Sequence, residues 1–363
     1  MGFNCGIVGL PNVGKSTLFN ALLSTQAAEA ANYPFCTIEP NIGRVGVPDE
    51  RLTTLAKIAS SAQIIPTQLE FVDIAGIVRG ASKGEGLGNQ FLAHIREVDA
   101  IIYMLRCFDD GDITHVEGRI DPLSDAEIIE TELVLADLES LEKRLPALQK
   151  KAKGDKDAKE QAELMEKLLA VVSEGKPARS YSPLNDAERK HMAQMQLLTG
   201  KPVLYVCNVE EASAATGNAY SAKVISTVNA PCIVISAKIE SEVAQLANEA
   251  DKAEFLDALG LKETGLTRLI RAGYELLGLI TYFTVGPKEA RAWTIHNDML
   301  APQAAGVIHT DFEKGFIRAE TIACDDYIRL GGEQGAKEAG KLRLEGKDYI
   351  VKDGDVLHFR FNV

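Results

Sequence analysis

The sequence predicts an α/β protein with a mostly parallel sheet, interrupted by a long helical hairpin and followed by a small β-rich domain. Three observations predict it. Continuous apolar runs at Asn4–Val8, Leu69–Ile74, Ala100–Cys107, Pro202–Asn208 and Cys232–Ser236 read as buried strands, and the helical segments between them imply βαβ units. Within roughly residues 128–199, Val134, Leu138, Leu141, Leu145 and Leu148 alternate spacings of four and three, which makes a coiled-coil seam. After about residue 280 short strand-like runs (Thr281–Val285, Ala292–His296, Thr321–Ala323, Val356–Phe361) follow one another, with turn pairs Gly331-Gly332 and Asp353-Gly354 between them.

The first strand ends in Gly9-Leu10-Pro11-Asn12-Val13-Gly14-Lys15-Ser16-Thr17, a full match to G-x-x-x-x-G-K-[ST]. Lys15–Ser24 then has helical spacing, with Leu18, Ala21 and Leu22 on one face. A glycine-rich loop between strand and helix folds its N–H groups around phosphates, and the helix N-terminus adds its dipole. Asn12, Val13, Gly14, Lys15, Ser16 and Thr17 are therefore expected to bind a nucleoside triphosphate. Lys15 would reach the β- and γ-phosphates, and Ser16 would supply a hydroxyl to Mg²⁺. The expected class is a P-loop NTPase.

Two further segments suit that class. Thr37, in Asn32–Asn41, lies about twenty residues past the loop, where a second hydroxyl would reach Mg²⁺. Asp73-Ile74-Ala75-Gly76 follows the strand Leu69–Val72 as D-x-x-G: Asp73 would hold Mg²⁺ through a water, and the Gly76 N–H would sense the γ-phosphate. Glycines cluster from Gly80 to Gly88, as in a segment that orders and releases with nucleotide state. The position after Gly76 is Ile77, not a water-orienting glutamine, so hydrolysis is expected to be slow or to use another group. His94 and His115 are the polar candidates, and spacing favours neither.

Base recognition departs from the N-K-x-D pattern of guanine-binding sites. Asn208-Val209-Glu210-Glu211 keeps the asparagine, lacks the lysine and places Glu211 where an aspartate would pair with guanine N1–H and N2–H₂. The extra methylene displaces that pairing, and paired hydrogen bonds of this kind are worth roughly 10⁴–10⁵ in discrimination. Ser236-Ala237-Lys238 keeps the last base-binding motif, whose backbone would buttress a purine. The residues read as a purine site with impaired guanine specificity. Which of Glu210 and Glu211 faces the base stays open.

The hairpin carries Lys143, Arg144, Lys150, Lys151 and Lys153 at its distal end, a polar tip at Gly154–Asp157, and a returning stripe of Leu164, Leu168 and Val171. Its lysines suit either a solvated face or a binding face. The formal net charge of −13 argues against a general nucleic-acid coat, so any RNA contact needs a local basic surface. Six cysteines without a C-x-x-C pair argue against a disulfide framework or zinc site and fit a reducing compartment. Neither a basic leader nor a run of roughly 20 apolar residues occurs, so a cytoplasmic protein without a membrane span is expected.

Taken together, Gly9–Thr17, Asn32–Asn41, Asp73–Gly76 with Gly84-Glu85-Gly86-Leu87-Gly88-Asn89, and Asn208–Glu211 resemble the Obg-related YchF proteins, the Obg-like ATPases. The runs His309–Ala319 and Lys347–Asp355 resemble that family's TGS domain, so the likeness spans essentially the whole chain. The resemblance implies a P-loop G domain (1–127 and 200–279), a helical hairpin insertion (128–199) and a ubiquitin-like TGS domain (280–363). It implies ATP preferred over GTP, weak intrinsic hydrolysis, and association with the ribosome or RNA through the hairpin and TGS domain. It singles out His115 as the water-activating residue, Val209 as an adenine contact beside Asn208, and Asn12 as a candidate ligand for K⁺. No DNA sequence specificity is expected, and a monomer is. Two other functions fit the same residues. One is a GTP-specific GTPase. The other is an RNA-binding scaffold with structural nucleotide, motivated by the hairpin lysines and by Lys314, Arg318, Lys337, Lys341 and Arg343.

Overall fold

The computed structural model describes residues 3–30, 41–74, 87–110, 119–246 and 248–362. In chain order the N-terminal elements are β1 (Asn4–Val8), α1 (Lys15–Ala30), β2 (Ile42–Gly46), α2 (Glu50–Ala59), β3 (Gln63–Ile65), β4 (Gln68–Asp73), α3 (Leu87–Glu97) and β5 (Ala100–Arg106). The hairpin follows as α4 (Pro122–Lys151) and α5 (Lys156–Ser173), with α6 (Asp186–Met195) behind it. Next come β6 (Val203–Asn208), α7 (Ala219–Thr227), β7 (Cys232–Ile235), α8 (Ala237–Val243), α9 (Glu249–Ala258) and α10 (Gly265–Leu276). The C-terminal part holds β8 (Leu279–Val285), β9 (Glu289–His296), α11 (Ala301–Ile308), α12 (Thr310–Lys314), β10 (Phe316–Ala323), α13 (Cys324–Arg329), α14 (Glu333–Glu338), β11 (Arg343–Glu345) and β12 (Asp355–Phe361).

Among the described residues, two sheets of six strands form, in the orders β2-β4-β1-β5-β6-β7 and β11-β10-β12-β8-β9-β3. In the first, β1 pairs in parallel with β4 and β5, β5 with β6, and β6 with β7. The five apolar runs became β1, β4, β5, β6 and β7, within a residue or two at each end. All seven residues of β5 are buried, as a central parallel strand covered on both faces requires. β2 and β3 were not legible: Ile42–Gly46 is broken by Gly43, and Gln63–Ile65 is three residues long.

The chain divides into two compact units, one of Phe3–Gly43 with Glu70–Leu269, the other of Arg44–Leu69 with Ile270–Val363. This grouping departs from the boundaries read from sequence, which placed residues 44–69 in the first domain and began the last at 280. Packing supplies the reason. In the second unit Leu52, Leu55 and Ala56 of α2 bury against Phe283, Ala292, Ile322 and Val356, and β3 pairs in parallel with β9. Arg51 donates to Asp49 beside it and to Asp353 in the turn before β12.

In the first unit the hairpin seam holds as read. Val134, Leu141, Leu164 and Leu168 share one core with the partly buried Leu138, Leu145 and Leu148. Val172, not Val171, completes the buried stripe, and α4 begins at Pro122, six residues before 128. Asp155 caps α5 by accepting from the Ala158 N–H, so the polar tip is a helix start. At the base, Asp137 accepts from the N–H groups of Leu198 and Thr199 and from the Thr199 hydroxyl. Glu130 accepts from Tyr103 of β5 and pairs with Arg179. Among the described residues no helix is long and apolar enough to cross a membrane. Cys5, Cys107, Cys207, Cys232 and Cys324 are free thiols.

Candidate nucleotide-binding site

The C-terminal ends of β1, β5, β6 and β7 open on one cavity of about 870 Å³, where parallel α/β sheets place their ligands. Its phosphate end is the loop between β1 and α1. Gly14 stands at φ 94° and the loop's Asn12 at φ 64°, a region asparagine tolerates. A Cβ on Gly14 would also collide with the Asn208 amide, and one on Gly9 would lie 2.8 Å from the Met104 carbonyl oxygen. Both glycines of the motif are thus fixed by close approach of neighbouring strands. Lys15 opens α1, and its ammonium donates to the Asp73 carboxylate at the end of β4. Ser16 and Thr17 are exposed and line the cavity.

Asn208 ends β6 and is buried. Its amide donates to the Val13 carbonyl at 2.8 Å and its oxygen accepts from the Ala237 N–H at 2.9 Å. One side chain therefore ties the phosphate loop to the segment after β7. Val209 lines the cavity, but its side chain is buried and its N–H donates to the Ile235 carbonyl at 2.8 Å. Glu210 accepts from Ser213 and Asn218. Burial opposes its ionisation, but these hydrogen bonds hold its pKa below the usual glutamate value. Glu211 instead receives the Lys238 ammonium at 2.7 Å, and this bond raises the Lys238 pKa. Of the adjacent glutamates, then, 211 stands in an ion pair at the base end and 210 braces its own loop.

The cavity thus brings together Asn12, Gly14, Lys15, Ser16, Thr17, Asn208, Val209, Glu211, Ser236 and Ala237. Val13 stays buried, with its carbonyl on Asn208, and Asp73 reaches the site through Lys15. Thr37, Gly76, Ile77 and His115 lie outside the described residues. Sequence reasoning left out Phe108, Asp109 and Asp110, which form a wall of the cavity. The abrupt change from an apolar strand to Phe-Asp-Asp was the available signal. Among the described residues, no group of three or more His, Cys, Asp or Glu is arranged to hold a metal ion by itself. A hydroxyl from Ser16 and a carboxylate from Asp73, beside a cradle for phosphate oxygens, suit Mg²⁺, a hard ion that takes oxygen ligands.

Known proteins resemble this chain along its whole length. A family model described as "50S ribosome-binding GTPase" matches residues 4–136, and a YchF-type C-terminal model, described as "Protein of unknown function (DUF933)", matches 279–362. A protein called ribosome-binding ATPase YchF from Haemophilus influenzae is 58% identical, with 100% of each chain covered. The chain belongs to the YchF family. The Bacillus subtilis YchF of the same description is 56% identical, again over the whole of both chains. The structure of the Schizosaccharomyces pombe YchF GTPase matches with a TM-score of 0.89 at 38% identity, over 99% of this chain and 98% of that one. A Pyrococcus horikoshii GTP-binding protein, at 20% identity and a TM-score of 0.61, shares the fold.

Proposed function

We propose that this YchF protein is a Mg²⁺-dependent ATPase of weak intrinsic activity that prefers ATP to GTP and works on the ribosome in the cytoplasm. The observation that carries the ATP preference is the Glu211–Lys238 pair. A guanine site needs a carboxylate free to accept two hydrogen bonds, and here that carboxylate is longer than aspartate and already holds an ammonium. The names of the curated relatives support ATPase activity and ribosome binding.

In this reading the loop N–H groups and the N-terminus of α1 hold the triphosphate. Lys15 leaves Asp73 for the β- and γ-phosphates. Ser16, Asp73 and Thr37 would hold Mg²⁺, and Gly76 would sense the γ-phosphate. The ion supplies charge neutralisation on the transferring group. His115 activates the water, and Asn12 stands where K⁺ would bind. Basic residues of the hairpin and of the C-terminal TGS domain contact ribosomal RNA.

One observation favours GTP instead: the fission-yeast relative is called a GTPase. Competition binding separates the two: ATP is expected to displace a labelled nucleotide at lower concentration than GTP. A guanine preference above about tenfold, about 1.4 kcal/mol, overturns the ATP reading.

A further inference from the structure

We propose that Asn218 is a positioning residue for the nucleotide, holding the two walls at the base end of the cavity in register. The inference rests on the nucleotide reading above. One wall, Phe108–Asp110, follows β5, and the other, Val209–Glu211, follows β6. Both are loops beyond the last ladder pair of their strands, Arg106 with Asn208. Their relative position therefore depends on what ties them together.

Asn218 is the N-cap of α7. Its Oδ1 accepts from the Ser221 N–H at 3.0 Å, and its own N–H donates to the Ser221 hydroxyl at 2.8 Å. Capping needs only these two bonds. The side-chain NH₂ does something else: it donates to the Cys107 carbonyl at 2.6 Å and to the Glu210 carboxylate at 2.9 Å. Cys107 is the residue before Phe108, and Glu210 lies inside the second wall. Both amide protons are thus committed, one to each wall.

The two receiving walls are braced to be moved as units. Arg106 donates from beneath to the Phe108 carbonyl at 3.2 Å, and its guanidinium lies 4.7 Å from the Phe108 ring centroid. Glu210 takes Ser213 with its other oxygen, which fixes the turn after β6. The Cys107 N–H still donates to the Asn208 carbonyl at 2.8 Å and joins the roots of the walls, so loss of the Asn218 donors leaves each wall intact and frees the first from Glu210 beyond that root. The phosphate loop, held by Asn208, is not touched by this clamp.

The bland alternative is a helix cap with incidental contacts. Serine and aspartate cap as well as asparagine but cannot donate to both walls. Asn218→Ser removes the donors without adding charge, and Asn218→Asp sets a carboxylate against Glu210. Calorimetric or fluorescence titration of the full chain is the measurement, with Mg-ATP and with Mg-tripolyphosphate, which engages the phosphate loop alone. Loss of these two hydrogen bonds predicts an ATP dissociation constant raised about tenfold or more in both variants, about 1.4 kcal/mol or more. Tripolyphosphate affinity stays within about twofold, and KM for ATP rises while kcat holds. Equal weakening of both ligands, or a fall in kcat alone, overturns the assignment, as does Asn218→Ser binding ATP like the wild type. A wild-type chain that binds no nucleotide overturns the underlying reading instead.

Discussion

The Lys15 ammonium is paired with the Asp73 carboxylate, joining the first residue of α1 to the last of β4. In the function proposed above, a triphosphate and its Mg²⁺ would call on these two groups separately. Their arrival replaces one ion pair with two contacts, so nucleotide and metal should bind with positive coupling. In Asp73→Ala, Lys15 is released for phosphate while the metal loses a ligand. ATP titrations with and without Mg²⁺ should show the metal-dependent gain in affinity reduced by about tenfold, the scale of one charge-assisted contact. An unchanged Mg²⁺ dependence removes Asp73 from the metal site.

Asn208 acts at the other end of the phosphate loop. Asn208→Asp keeps the acceptor for the Ala237 N–H and loses the donor to Val13. A carboxylate facing a buried carbonyl should cost about 2 kcal/mol of stability. It should also weaken Mg-ATP and Mg-tripolyphosphate alike, the reverse of the pattern expected for Asn218. Denaturant unfolding and the two titrations check this. Normal tripolyphosphate binding contradicts the role given to Asn208.

The α2 segment tests how the chain divides. Leu55 is fully buried in the core that α2 shares with β8, β9, β10 and β12. Leu55→Ala should cost about 3 kcal/mol, and the loss should fall on the unit containing residues 270–363. Limited proteolysis followed by mass mapping would show cuts there first. Cuts confined to residues 70–269 contradict the grouping.

These elements also show what the sequence could and could not disclose. The phosphate loop was readable because its glycines meet local demands, a positive φ at Gly14 and a tight approach at Gly9. The hairpin was readable because Val134 through Leu148 keep a strict spacing over several turns. By contrast, the place of α2 depends on Phe283 and Val356, more than 200 residues away, and no local pattern carries that. The same holds for the base end. Adjacent glutamates look alike in a string, and only the positions of Asn218 and Lys238 separate Glu210 from Glu211.

The hairpin base should be sensitive to acid. Glu188 accepts from the Leu184 N–H, Lys167 and Tyr181, and these bonds depress its pKa from 4.5 to about 2. A depressed carboxylate gives stability that is full above 4.5 and is lost as pH falls toward 2. Thermal melts from neutral pH down to about 2 should show a shallower acid decline in Glu188→Gln than in the wild type. Parallel declines would place the acid sensitivity elsewhere.

In the function proposed above, the cavity behind Gly9–Thr17 binds and turns over ATP. Steady-state phosphate release from Mg-ATP, by the wild type and by Lys15→Ala, tests it most directly. Slow but measurable release by the wild type is expected, with a loss of about a hundredfold or more in the variant as the lysine's transition-state contact disappears. Equal release by the two proteins would place the chemistry outside this site.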